Sequence, residues 1–287
     1  GTLASEIGRL HSLRCLSLHD NAIAGPIPSS ISSLHRLRAL YLFHNLFTGS
    51  IPPSLPPSLH SINLAHNRLS GTIPSPPPLL LADAAAAAAS PLPRLQTLIL
   101  SHNQLTGPIP PQLAELPYLR VMDLSHNLLD GSFPVAMASS SSSAAAAASG
   151  SVQAFFSLIA LDLSHNGLTG ALPDQIATEM ASLVSLALND NHFSGPIPSS
   201  LGGIANLSSL DISHNSFNGN LPPSMASLAK LTAFNCSYNN LTGEVPNKLA
   251  HSFGASSFEG NNQGLCGFSA SSPCPKTAAS ITGESSP

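Results

Sequence analysis

The stretch LSSLDISHNSFNGNLP, Leu207 to Pro222, decides the fold. Leu210 and Ile212 alternate with polar neighbours, the period-two pattern of a short strand with one face buried. Asn215 follows, then Gly219 and Pro222. The same order returns at Leu95, Leu98, Leu100, Asn103, Gly107 and Pro110. Aligned on the asparagine, it occurs at Asn21, Asn45, Asn67, Asn103, Asn127, Asn166, Asn191, Asn215 and Asn239, and all nine copies keep the Asn, the Gly and the Pro. Six of the eight intervals lie within two residues of 24. A fixed period in this range marks a solenoid, in which one coil cannot bury its own leucines but a stack of coils can.

The full pattern, L-x-x-L-x-L-x-x-N-x-x-x-G-x-x-P, is similar to the leucine-rich repeat. The expected fold is therefore an α/β repeat solenoid. It is a right-handed superhelix with a parallel β-sheet on the concave face and a mainly irregular or 3-10 convex side. Rungs stack about 4.8 Å apart. An inward asparagine is tolerable only if its amide finds backbone partners in neighbouring coils. Glycine supplies freedom at the following bend and proline stiffens it.

The same alignment divides the chain. Residues 1–12 read as the end of a truncated preceding repeat, 13–253 as nine repeats, 254–275 as a C-terminal cap and 276–287 as a polar stalk. Two intervals, of 36 and 39 residues, run over period and place Ala/Ser-rich insertions at 75–91 and 137–153.

Composition narrows the function classes. Only 8% of the 287 residues are charged and the net charge is −4, so no basic field points to nucleic acid. The longest apolar candidate, Leu79 to Ala89, is too short to span a bilayer. The four cysteines form no Cys-x-x-Cys pair, which leaves zinc unsupported. Cys266 and Cys274 lie eight positions apart, and a disulfide between them would fix the cap and imply an oxidising compartment. Cys236 occupies a strand-leucine position and reads as a small buried filler. Cys15 faces outward, either as a free thiol or as one bound to a preceding cap. Sequons begin at Asn206, Asn235 and Asn240. No cofactor motif, metal motif or nucleophile–base pair stands outside the repeat phase, so the chain does not read as an enzyme.

The form L-x-G-x-I-P, as in LTGPIP and FSGPIP, resembles the plant-specific subclass of leucine-rich repeats. The closing segment FNCSYNNLTGEVPNKLAHSFGASSFEGNNQGLCGFSASSPCP is similar to the last repeat and cap of plant receptor-like kinases, and looks closest to the meristematic (inflorescence meristem) group. The resemblance implies an ectodomain on the extracellular side of the plasma membrane, held only through a membrane span outside this chain. It also implies a downstream kinase domain, often inactive in that group, and a peptide ligand or co-receptor leucine-rich repeat kinase as partner. A freestanding secreted protein, such as a polygalacturonase inhibitor, is the alternative. The alanine-rich insertions and the missing paired cysteines of an N-terminal cap depart from the family pattern.

Outward strand positions are where a ligand would bind. Arg14, Arg38 and His60 share one column, Tyr41, Asp123 and Asp162 another, and Phe43 lies two residues beyond Tyr41. Exposed aromatics beside arginines have the composition of binding hot spots. Arginines one rung apart suit a carboxylate or sulfate. In LDLSHNGLTGALP, the residues Asp162, His165 and Asn166 look like an active site but fall on repeat positions. His44, His66, His102, His126 and His165 precede the asparagine in five consecutive rungs, and His214 recurs later. A line of imidazoles does not converge on a metal. Its expected property is mutual repulsion on protonation, loosening the array slightly at acid pH.

Overall fold

The computed structural model describes residues 1–74, 92–134 and 155–275. The insertions expected at 75–91 and 137–153 and the stalk at 276–287 lie outside the described residues.

The alternating leucines build one nine-stranded parallel sheet, whose strands follow one another in chain order. They are Cys15–Ser17, Ala39–Tyr41, Ser61–Asn63, Thr97–Ile99, Val121–Asp123, Ala160–Asp162, Ser185–Ala187, Ser209–Asp211 and Ala233–Asn235. The middle residue of each strand points inward, so that Leu16, Leu40, Ile62, Leu98, Met122, Leu161, Leu186, Leu210 and Phe234 form one buried column. Registers such as Leu40↔Ile62 and Ile62↔Leu98 show that the 36-residue interval shifts nothing.

The asparagines form the ladder that the pattern requires. Asn127 is typical: its Nδ2 donates to the carbonyls of Leu100, Leu124 and Ser125, each at 3.1 Å. Its Oδ1 accepts the backbone amide of Leu105 on the preceding rung at 3.0 Å. Across the two long intervals the corresponding bonds, Leu69 to Asn103 and Leu129 to Asn166, are also 3.0 Å. The ladder runs one rung further than the nine asparagines read from the sequence. Asn261 accepts from the Leu241 amide at 3.1 Å and donates to the Cys236 carbonyl at 3.0 Å.

Beside the ladder, between the concave sheet and the 3-10 side, the chain forms further strands. The segment containing the repeat glycine is a strand in most rungs, and these strands form two further five-stranded parallel sheets. One comprises Ala24–Pro26, Leu46–Gly49, Arg68–Thr72, Gln104–Pro108 and Leu128–Asp130. The other comprises Thr169–Gly170, His192–Pro196, Ser216–Asn220, Asn240–Glu244 and Leu265–Cys266. The cause is the ladder: each asparagine holds the preceding rung's backbone where a buried side chain such as Phe47 or Phe217 enters the core. That leaves the next residues extended and in register. Behind them, short 3-10 turns such as Ser29–Ser33 and Ser199–Gly203 each drop one apolar knob, Ile31 or Leu201, into the core.

At the C-terminal end, Cys266 and Cys274 are joined by a disulfide. Gly243 and Glu244 pair with Leu265 and Cys266, so the cap continues the stack.

Candidate functional site

The residue before each ladder asparagine bends the chain from strand to ladder, and it does so with positive φ. Asp20, His44, His66, His102, His126, His165, Asp190, His214 and Tyr238 all lie between 51° and 55°. Asn, Asp and His enter this left-handed region more readily than most residues. The histidine column therefore has a backbone reason, and His165 and Asn166 fall on repeat positions.

The column is closer than a line at the rung spacing. Ring centroids are 4.3 Å apart from His44 to His66, 4.1 Å from His66 to His102, and 4.0 Å for both His102–His126 and His126–His165. The last three contacts are stacked faces. Small residues beneath them, Ala65, Ser101, Ser125 and Ser164, are buried. Carboxylates close both ends: Asp20 Oδ1 is 3.3 Å from His44 Nδ1, and Asp190 Oδ2 is 3.5 Å from His165 Nε2. Burial first, then neighbouring imidazoles, hold His66, His102 and His126 below the ordinary imidazole pKa, with Asp123 pulling the other way. Among the described residues, no group of three His, Cys, Asp or Glu side chains is arranged to hold a metal. In the column, His66, His102, His126 and His165 lie within 16° of parallel to their neighbours, so their in-plane nitrogen lone pairs do not converge on one point.

The strand-face residues fall into two groups. In the first, the Arg38 amide donates to the Arg14 carbonyl at 2.7 Å and the His60 amide to the Arg38 carbonyl at 2.8 Å, which sets these three residues on successive rungs. Both arginines are exposed. Tyr41, half-buried, pairs in register with Ser17 and Asn63. Phe43 is held as a platform, stacked on His19 at 4.4 Å and meeting His44 edge-on at 5.6 Å. His60 places Nδ1 2.8 Å from the Ser58 carbonyl oxygen.

Asp123 and Asp162 form the second group, paired in register on adjacent rungs. One oxygen of each is already committed. Asp162 Oδ1 accepts the Ser164 amide at 2.9 Å and its hydroxyl at 2.6 Å, and Asp123 does the same for Ser125 at 3.0 and 2.7 Å. These are turn-closing contacts at a strand end. The Asp-x-Ser spacing carries that signal in the sequence.

The three sequons sit differently. Asn206 is exposed, its Oδ1 taking Lys230 Nζ at 2.7 Å, and Asn240 is exposed beside Asn262. Asn235 is half-buried on the strand face, its Nδ2 3.5 Å from Asp211 Oδ2. Cys15 is exposed and free, and Cys236 is buried and free. An apolar cavity of about 450 Å³ lies between Ile51, Leu64 and Leu113. Its lining includes Pro74 and Leu92, which bracket residues 75–91, and among the described residues that line it none is titratable. No helix among the described residues is long and apolar enough to cross a membrane.

The Leucine Rich Repeat family model matches residues 12–34, 36–57, 58–80, 94–116, 157–178, 182–204 and 206–228, more than half of the chain. The rungs of Asn127 and Asn239 fall outside those matches yet make the same ladder bonds. No curated protein matches the chain. Similar solved structures include a TDR receptor, 29% identical with a TM-score of 0.74 over 90% of this chain and 41% of that one. A plant ice-binding protein is 29% identical with a TM-score of 0.73, over 97% of this chain and 81% of that one. The Arabidopsis receptor kinase HAESA, in complex with the peptide hormone IDA and the co-receptor SERK1, is 28% identical with a TM-score of 0.65, over 89% of this chain and 43% of that one. The chain thus spans about two-fifths of the length of the two receptor structures.

Proposed function

We propose, from the premise that the chain belongs to the leucine-rich repeat family, that it is the extracellular recognition region of a plant receptor-like kinase. Its ligand is an extended peptide, with or without a co-receptor. The supporting observation is the first strand-face group: two exposed arginines on adjacent rungs beside Tyr41 and the stacked Phe43. An aromatic platform offers apolar area at low entropic cost. The guanidinium pair suits a carboxylate or sulfate on the peptide. Asp123 and Asp162 serve this reading as second contacts through their uncommitted oxygens. Glycans at Asn206 and Asn240 fit a secreted receptor and leave this group uncovered. The meristematic subgroup is the finer assignment. It rests on the resemblance of the closing segment and of the early stretch LRCLSLHDNAIAGPIPSSISSLHRLRALYLFHN.

The test is capture of secreted plant peptides on the immobilised chain, read by mass spectrometry, with Arg38→Ala/Tyr41→Ala in parallel. One peptide or a few should be retained by the parent and reduced at least about tenfold by the double variant, as truncated hot spots require. Identical peptide sets would remove the proposed site.

A second reading has one observation in its favour: the plant ice-binding protein is matched over most of its own length. A freestanding secreted protein of that kind would retain no peptide and would inhibit ice recrystallisation, which the same purified chain can be assayed for.

A further inference from the structure

The imidazole row is longer than its backbone requires. Asp20, Asp190 and Tyr238 adopt the same left-handed conformation, and Gly260 does so on the last rung, so the turn itself asks for no imidazole. Five consecutive rings are nonetheless present, His44 to His165, with His44 edge-on to His66 at 4.3 Å, the other four stacked at 4.0 to 4.1 Å, and the row bounded by Asp20 and Asp190. Stacking hides ring faces and leaves the edges, with their nitrogens, toward solvent, and all five residues are exposed. The groups facing the row are Asp20 with His19 beside it, Asp123, Asp162 and Asp190. Just past the ladder on the same edge lie Leu46, Arg68, Gln104 and Leu128, and Leu128 is 63% exposed.

We propose that this edge is a docking strip for an acidic segment of a partner protein, closed to it near neutral pH and opened by acidification. Charge decides the sign. With neutral rings, four carboxylates against Arg68 leave the strip three charges negative, and an acidic partner is repelled. Five imidazolium ions make it two charges positive. At 4 Å separation in water, like charges repel by about 1 kcal/mol per pair, a cost that an approaching carboxylate offsets. Binding and proton uptake are therefore linked. Leu46 and Leu128 select a protein over a charged polysaccharide, because aliphatic side chains contribute only when another apolar group covers them. The strip adjoins the Tyr41–Phe43 group but does not depend on a peptide binding there.

The experiment measures binding of a glutamate–tyrosine copolymer to the full chain at pH 5.0 and 7.5 at fixed ionic strength, with polygalacturonate as the non-protein polyanion. His66→Asn/His102→Asn/His126→Asn removes the middle of the row with a residue that tolerates positive φ. His11→Asn/His35→Asn/His251→Asn removes as many imidazoles elsewhere. The copolymer should bind the parent at least about tenfold tighter at pH 5.0, a ratio in the range that charge complementarity supplies. The row variant should lose most of that ratio, the control variant should keep it, and Leu46→Ser/Leu128→Ser should weaken binding at both pH values. Equal ratios in the row and control variants would overturn the proposal, because net charge alone would then explain them. Polygalacturonate binding as tightly as the copolymer, with no effect of the leucine substitutions, would overturn the assignment to a protein partner.

Discussion

The backbone amide of Leu105 donates to Oδ1 of Asn127, 3.0 Å away on the following rung. The side chain, only 7% exposed, also donates Nδ2 to the carbonyls of Leu100, Leu124 and Ser125, which keep second donors in Asn103, Asn166 and His102. Asn127→Leu keeps the volume and leaves the Leu105 amide without its acceptor. Unfolding in urea should show a loss of about 1–3 kcal/mol, given the cost of a buried group without a partner. Asn21, on the first complete rung and exposed, should cost less than about 1 kcal/mol when replaced in the same way. Equal losses at the two positions would mean that the ladder does not carry the fold.

Gly260 holds the ladder-turn position on the last rung with φ +67°, and a Cβ there would run into the ring of Tyr238. Tyr238 is itself stacked on His214 at 4.3 Å. Gly260→Ala should therefore destabilise the end of the solenoid by about 1–2 kcal/mol, the cost of the left-handed region with a side chain. Gly254→Ala is the control, since its Cβ would meet nothing nearer than Ser256 Oγ at 3.7 Å. Similar melting temperatures for both variants would refute the contact.

The Cys266–Cys274 disulfide closes a short loop onto the last strand pair. Chain entropy for a loop of this size gives about 2–3 kcal/mol. Cys266→Ser/Cys274→Ser should raise hydrogen exchange across residues 258–275 and spare the rungs before Asn191. Cys15→Ser, at an exposed free thiol, should change neither exchange nor melting.

Acidification should act on stability through His66, His102 and His126, whose pKa values are lowered mainly by burial and then by neighbouring imidazoles. Above an ordinary imidazole pKa of about 6.5 these rings are neutral in both the folded and unfolded chain and contribute no pH dependence. As pH falls below it, the unfolded chain takes up protons first. Stability then declines until the folded values are passed. The rings are exposed, so the effect is small: about one or two degrees of Tm between pH 7 and 5. The triple Asn variant of the inner rings should show a flatter profile than the parent, and superimposable profiles would exclude the mechanism.

Most of the coil is legible in the sequence. The Leu-x-Leu alternation and the recurring Asn, Gly and Pro are local properties of the chain, and they specify inward leucines, a turn and a stack. The tenth rung had a signal as well, because Asn239 to Asn261 repeats the 22-residue interval of Asn45 to Asn67. It was missed because no Gly-x-x-Pro accompanies it. The committed oxygen of Asp162 was likewise visible as Asp-x-Ser.

What the sequence alone determined is therefore the period, the buried column from Leu16 to Phe234 and the identity of the ladder residues. The tertiary structure decided everything that lies between rungs. It created the two five-stranded sheets, because each asparagine holds the backbone of the coil before it. It also brought the five imidazoles to within 4.0 to 4.3 Å of one another. Residues more than twenty positions apart meet only when coils stack, and at that distance ring contact, charge and titration belong to the stack.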